Sequence, residues 1–304
     1  MAGPPSGEQF EITLGDQRAT VVEVGGGIRE YVLGDREVLD GYGVDAMCDG
    51  ARGAPLIPWP NRLEDGRYRF DGADHQLPLS EPEKANAIHG LLRWRSWREL
   101  ERADHRVVVG TILRPRTGYP FALEVRMEYS LGEGGLMVST TASNIGDRPC
   151  PYAFGQHPYL SAAGGLVDEC ILELDARTRI VTDEERQLPV GTEPVEGTPF
   201  DFRGGVRIGD RQVDAAFTDI GRDEEGLAWV RLTAPDGSRV KLWADQLHPV
   251  IQLFTGDTLD PEHRRRGLAA EPMTCPPNAL RTGDRIIRLE PGETVTTRWG
   301  VRIG

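Results

Sequence analysis

The chain has 304 residues, 38% of them hydrophobic, with 35 Lys and Arg against 48 Asp and Glu and a formal net charge of -13. That balance argues against nucleic acid or an acidic membrane surface as partner, because like charges repel, and no apolar run approaches the roughly 18 residues that a membrane span needs. Met1 to Glu8 are small, proline-rich and acidic, unlike a secretory signal, and Cys48, Cys150, Cys170 and Cys275 are scattered without a Cys-x-x-Cys pair, so reduced thiols in a cytoplasm are the expectation, with neither a zinc site nor a disulfide framework.

Strand signals begin near the start of the chain. Phe10 to Leu14 and Arg18 to Val24 flank Gly15-Asp16-Gln17, and Tyr68 to Phe70 and Gln76 to Leu79 flank Asp71-Gly72. Leu123, Val125, Met127, Tyr129 and Leu131 alternate with polar residues, and after a glycine-rich connection the alternation resumes at Leu136, Val138, Thr140 and Ala142. Successive side chains on a strand point to opposite faces, so this pattern predicts a half-buried hairpin. Glu184 to Phe202, rich in Pro, Gly and Glu, reads as a long surface excursion. Trp229 to Thr233 and Arg239 to Trp243 flank a Pro-Asp-Gly-Ser turn, and Ile286 to Leu289 and Thr294 to Val301 flank Pro291-Gly292. With 37 Gly and 22 Pro in the chain, no stretch sustains a helical period. The prediction is an all-β protein of packed antiparallel sheets, a large sandwich or a barrel. Residues 1–8 are expected to form a flexible N-terminus and residues 9–304 a single domain.

Several residues could carry chemistry. Arg62 follows Pro58-Trp59-Pro60-Asn61, where two prolines hold the chain extended, and its fork could meet a hydroxyl or carboxylate. Trp59 could offer an apolar plate to a ring, or serve the core. His89 lies between Ile88 and Gly90 in what reads as a loop or strand end. His157 sits in Gly155-Gln156-His157-Pro158-Tyr159, where Gly and Pro break regular structure and Tyr159 adds a second polar tip. Histidine titrates near neutrality, but each of these alone would be unremarkable. Glu271 stands apart, because Leu268-Ala269-Ala270 precede it and Pro272-Met273 follow. A carboxylate in apolar surroundings is either paired or raised in pKa, and either condition suits a general base. Asp214, beside Ala215 and Ala216, is a further acid, with a turn cap as its alternative role. His75, His105, His248 and His263 are expected to be solvated. No phosphate-cradling loop, dinucleotide fingerprint, Gly-x-Ser-x-Gly elbow or His-Glu-x-x-His pair is present, so no nucleotide cofactor or hydrolytic zinc is indicated.

In order, Pro60-Asn61-Arg62, Gly66-x-Tyr68-x-Phe70-x-Gly72, Asn86-x-x-His89-Gly90, His157-Pro158-Tyr159, Asp214-x-x-Phe217, Leu253-Phe254-Thr255-Gly256 and Glu271-Pro272 resemble the aldose 1-epimerases, or mutarotases, from about residue 10 to the C-terminus. The resemblance implies a large antiparallel β-sandwich of the galactose mutarotase type with few short helices. It also implies interconversion of the α and β anomers of a free aldohexose such as glucose or galactose, without cofactor or metal. By position, Glu271 would be the general base, His157 the general acid, and Arg62, His89 and Asp214 would hold the substrate. The expected protonation is an ionised Glu271 beside a protonated His157. The implied partner is a small sugar, with the protein a monomer or homodimer. Gln156 and Pro158 depart from many galactose-acting members, which carry Asn before the histidine and a small residue after it; this bears on the sugar more than on the reaction. Alternatives are a non-catalytic sugar-binding module, or a hexose-phosphate epimerase, which would need cations for the phosphate; Arg93 and Arg95 are the candidates.

Overall fold

A computed structural model describes residues 3–303. Two large sheets dominate it. The main path of the twelve-stranded sheet runs through Gln9–Leu14, Gln17–Val22, Ile28–Leu33, Arg36–Leu39, Tyr159–Ser161, Gly267–Met273, Val250–Phe254, Asp214–Ile220, Ala176–Thr182 and Pro189–Pro194. The nine-stranded sheet runs through Arg98–Ala103, Arg106–Leu113, Leu123–Gly132, Gly135–Asn144, Thr294–Ile303, Arg239–Ala244, Ala228–Thr233, Ile171–Leu174 and Val206–Arg207. Neighbouring strands are antiparallel, as in a sandwich built from hairpins. Among the described residues the only α-helix is Ala279–Thr282, and no helix is long and apolar enough to cross a membrane.

The alternation seen in the sequence decides what faces what. Leu268 and Ala270, Ile251 and Leu253, and Ala215 and Phe217 turn inward from the larger sheet and share one core with Val125, Met127, Tyr129, Val138, Leu242 and Trp299 of the smaller. Each large apolar side chain so buried contributes about 1.5–3 kcal/mol before entropy is counted. A polar link crosses this core: Gln156 Nε2 donates to the Tyr129 hydroxyl at 3.1 Å, and its Oε1 accepts from Trp299 Nε1 at 2.9 Å. Because side chains alternate, Glu271, Gln252 and Asp214 project from the opposite face of the larger sheet. On that face a second, smaller apolar cluster forms from Ile180, Ala216, Val250 and Met273.

The predicted hairpins form at Gln9–Val22, Arg67–Gln76, Leu123–Asn144 and Ala228–Ala244. Two expectations need correction. Ile287–Leu289 and Thr294–Ile303 do not pair with each other. The first pairs with Cys150–Tyr152, and the second is a central strand between Gly135–Asn144 and Arg239–Ala244. A ten-residue strand finds more hydrogen-bonding partners there than a three-residue neighbour could supply. Nor is 184–202 wholly irregular, because Pro189–Pro194 pairs with Ala176–Thr182; it is an edge strand, where terminal prolines remove no needed donor. Of the N-terminal residues 1–8, Met1 and Ala2 lie outside the described residues, while Ser6 and Glu8 accept from the main-chain amides of Val24 and Glu23.

Candidate active site

Three strands, a link and a small ribbon converge on the outer face of the larger sheet. Glu271 and Gln252 are direct cross-strand partners in its middle, and Asp214 pairs with Phe254 one strand further on. His157 arrives on the link between Gly155–Gln156 and Tyr159–Ser161, and its backbone is locked on both sides: its N–H donates to Ala54 O at 3.1 Å and its carbonyl accepts from Gly53 at 2.9 Å. Arg62 and His89 come from a small two-stranded ribbon in which Arg62 pairs with Ile88. Gly90 fastens that ribbon to the body. Its φ is +74°, and an added Cβ would stand 2.0 Å from Ile57 O, so only glycine fits.

Together these segments enclose a cavity of about 520 Å³ lined by Arg62, His89, His157, Asp214 and Glu271, within the size range of small-molecule sites. All five site residues expected from the sequence therefore share one pocket. At its floor, His157 Nε2 lies 3.2 Å from Glu271 Oε1, and both side chains are buried. Behind the imidazole, Tyr159 stacks at 5.0 Å and 19°, and the buried Arg52 guanidinium lies 4.9 Å from the Tyr159 ring, held in turn by Asp40 and Asp49. His89 meets His157 edge-on at 5.5 Å, while its Nδ1 accepts from the Asn61 amide at 3.2 Å. That bond leaves the other ring nitrogen of His89 as the N–H donor.

Electrostatics at the floor differ from expectation. Burial pushes Glu271 well above the usual carboxylate range, with Asp214 adding to the rise and Arg62 and Arg93 opposing it. Burial also pushes His157 far below its ordinary value, and Arg93 reinforces that. The 3.2 Å contact favours an ion pair, but burial favours the neutral one. Burial weighs against the ion pair, because a carboxylate and an imidazolium taken out of water each lose solvation that one contact repays only in part. Both shifts run the same way, toward a proton on Glu271 beside a neutral imidazole.

The rim is organised differently. Asp214 accepts from Gln252 Nε2 at 2.6 Å and from Gln187 Nε2 at 2.8 Å, and Gln187 in turn accepts from Lys84. Arg62 does not present a free fork, since Nε and Nη2 both donate to Glu81 at 2.8 and 2.9 Å. Those bonds hold the Glu81 carboxyl below its usual range against the opposing effect of burial. Trp59 is no sugar plate; it is buried in the inter-sheet core. His248, expected to be solvated, is fully buried, with Nδ1 2.8 Å from Asp245. Glu81, Gln187 and Gln252 escaped notice in the sequence. Only Gln252 left a signal there, as the one polar residue in Val250-Ile251-Gln252-Leu253-Phe254. Among the described residues no three His, Cys, Asp or Glu side chains are grouped to hold a metal ion, and all four cysteines are free thiols.

Residues 8–302 match the model of the family described as aldose 1-epimerase, and the chain belongs to that family. It is 35% identical to the uncharacterized protein YihR of Escherichia coli over 290 residues, covering 95% of this chain and 91% of that one. It is also 27% identical to human galactose mutarotase over 247 residues, 76% of this chain and 68% of that one. Among solved structures, the aldose epimerase homologue of C. elegans superposes with a TM-score of 0.86 at 19% identity, covering 98% of each chain. Galactose 1-epimerase of Lactobacillus acidophilus does so at 0.80 and 20% identity, over 100% of this chain and 97% of that one.

Proposed function

We propose that the protein is a cofactor-independent aldose 1-epimerase that opens and recloses the ring of a free aldohexose such as glucose or galactose. The 3.2 Å approach of Glu271 to His157 at the floor of a sugar-sized cavity carries this assignment. O1 and O5 of a pyranose share carbon C1, so two groups in mutual contact can serve both oxygens. Glu271 removes the O1 proton while His157 Nε2–H protonates O5. The C1–O5 bond breaks to give the aldehyde, rotation about C1–C2 turns its other face, and the ring recloses with the roles reversed. The acid and base together contribute on the order of 10²- to 10⁴-fold each, sufficient for a reaction that already proceeds in water.

The neutral floor sets a condition on this cycle. Before Glu271 can act as base, its proton must pass to His157. Sugar hydroxyls donating to the unpartnered Glu271 Oε2 favour that transfer, because a carboxylate accepts hydrogen bonds more strongly than a carboxylic acid does. Substrate thus creates the charged pair that acts on it. Asp214, His89 and Arg62 would fix the remaining hydroxyls and align both transfers. The test is polarimetry on freshly dissolved α-glucose and α-galactose across a panel of aldoses. Failure to accelerate mutarotation of any of them would exclude the assignment.

A further inference from the structure

Two walls of the cavity come from distant parts of the chain. One is the ribbon of Arg62–Glu64 with Asn86–Ile88 and the short Pro82–Lys84 turn before it, which together bring Arg62, Glu81, Lys84 and His89 to the cavity. The other is the turn between Ala176–Thr182 and Pro189–Pro194, which brings Glu184 and Gln187. Arg186 precedes Gln187 but does not line the cavity. Its guanidinium turns onto the ribbon instead: Nε donates to Lys84 O at 2.9 Å, and Nη2 reaches Ala85 O and Asp65 Oδ1 at 2.8 Å and Asn86 Oδ1 at 3.2 Å. The buried Asn86 returns the contact, its Nδ2 donating to Arg186 O at 2.9 Å and to Glu81 at 3.2 Å, the same carboxylate that holds Arg62. Local chemistry shapes both sides of this joint. The Asp183 carboxylate accepts from the main-chain amides of Arg186 at 2.5 Å and Leu188 at 2.9 Å, and Gln187 takes a left-handed φ of +55°, so neighbouring side chains diverge, one to the ribbon and one to the cavity. On the ribbon, Lys84 and Ala85 end a single 3-10 turn, where the last carbonyls lack partners within the turn and a guanidinium fork suits them.

We propose that Arg186 is a positioning residue for substrate binding, a clasp that fixes the spacing of these two walls; this rests on the reading of the cavity as the aldose site. It acts through its neighbour. Gln187 Nε2 donates to Asp214 at 2.8 Å while its Oε1 accepts from Lys84, so Asp214 keeps its place only while the turn and the ribbon keep theirs. Asn86 and Glu81 carry the same constraint to Arg62. A lysine would set a charge near Asp65 but would not meet two carbonyls, a carboxylate and an amide oxygen together, because that takes a planar fork with several donors. The floor is held independently: His157 by the backbone of Gly53 and Ala54, and Glu271 by its cross-strand pairing with Gln252. Loss of the clasp therefore bears on KM more than on kcat. It bears little on stability, since the Arg186 and Asp65 side chains are 26% and 38% exposed and water screens their attraction.

The experiment compares steady-state mutarotation, sugar binding by calorimetry and thermal melts for the wild type, Arg186→Gln, Arg186→Lys, Gln187→Ala and the double variant of Arg186→Gln with Gln187→Ala, using whichever of glucose and galactose the wild type binds more tightly. Arg186→Gln should raise KM and Kd about tenfold, the scale of one hydrogen bond to a charged group, with kcat changed less than about twofold. Arg186→Lys should not restore KM. The double variant should raise KM little more than either single one, because both changes open the same bridge. Should Arg186→Gln fail to fold, Arg186→Lys, which keeps a cation beside Asp65, and Gln187→Ala carry the test by the same criteria. A wild-type KM in Arg186→Gln, a fall in kcat with KM unchanged, full rescue by lysine, or KM effects that multiply in the double variant would overturn the proposal while leaving the epimerase assignment in place. Conversely, sugar bound by the wild type but never turned over would remove the epimerase assignment, and the same comparisons in Kd would then decide the clasp.

Discussion

The floor and the rim of one cavity solve opposite problems. At the floor, Glu271 and His157 are 2% and 5% exposed, so neither can hold a charge cheaply, and burial shifts the pair toward its neutral form. At the rim, Asp214 is exposed and tied by Gln252 and Gln187, so its position is set by side-chain hydrogen bonds rather than by packing. Burial tunes protonation at the floor, whereas a network tunes geometry at the rim. Substitutions at the floor should therefore act on the chemical step, and those at the rim on substrate binding.

The largest effects are expected at the floor. Glu271→Gln and His157→Gln should each lower kcat for mutarotation by about 10²- to 10⁴-fold with sugar binding retained, measured by polarimetry alongside calorimetry. An unchanged rate in Glu271→Gln with sugar still bound would make the protein a binding module.

Arg62→Lys keeps the charge but loses the fork that grips Glu81, and the displaced ribbon should lower kcat/KM by up to about 10²-fold. Asp214→Asn, at the solvated end, should raise KM about tenfold with little change in kcat, as expected for one hydrogen bond to a charged group. Equal losses of kcat at floor and rim would abolish the distinction between them.

A smaller effect, on stability, sharpens the comparison. The folded protein holds a proton on Glu271 that the unfolded chain releases above its ordinary value of 4.5. This group therefore favours the folded state at low pH, and that contribution is lost as pH rises toward the raised folded value. Gln cannot titrate, so the Tm difference, Glu271→Gln minus wild type, should grow as pH rises above the ordinary carboxylate value. His157 has the opposite sign. Its folded value is depressed, so the unfolded chain takes up a proton below its ordinary value of 6.5 and wild-type stability falls as pH drops. His157→Gln should gain on wild type toward acid. Thermal melts across the same range check both variants.

Much of this was legible in one dimension. Strict alternation over Leu123 to Ala142 implied a hairpin because the strand period is local, and the apolar run around Glu271 implied a buried carboxyl because burial follows from neighbours on the same strand. The five residues expected at the site, which share the cavity, were singled out through short motifs in an order that resembles a known family. What the sequence by itself determined was the all-β character, the turns and which polar residues sit in apolar company. Tertiary structure alone decided that Thr294–Ile303 pairs away from its neighbour, that Glu81 occupies Arg62, and that Gln187 and Gln252 hold Asp214. It also set the burial that shifts the floor toward a neutral pair and away from the expected ion pair. These properties depend on distances between segments far apart in the chain and on the exclusion of water around them, and neither quantity exists until the sheets have closed over the site.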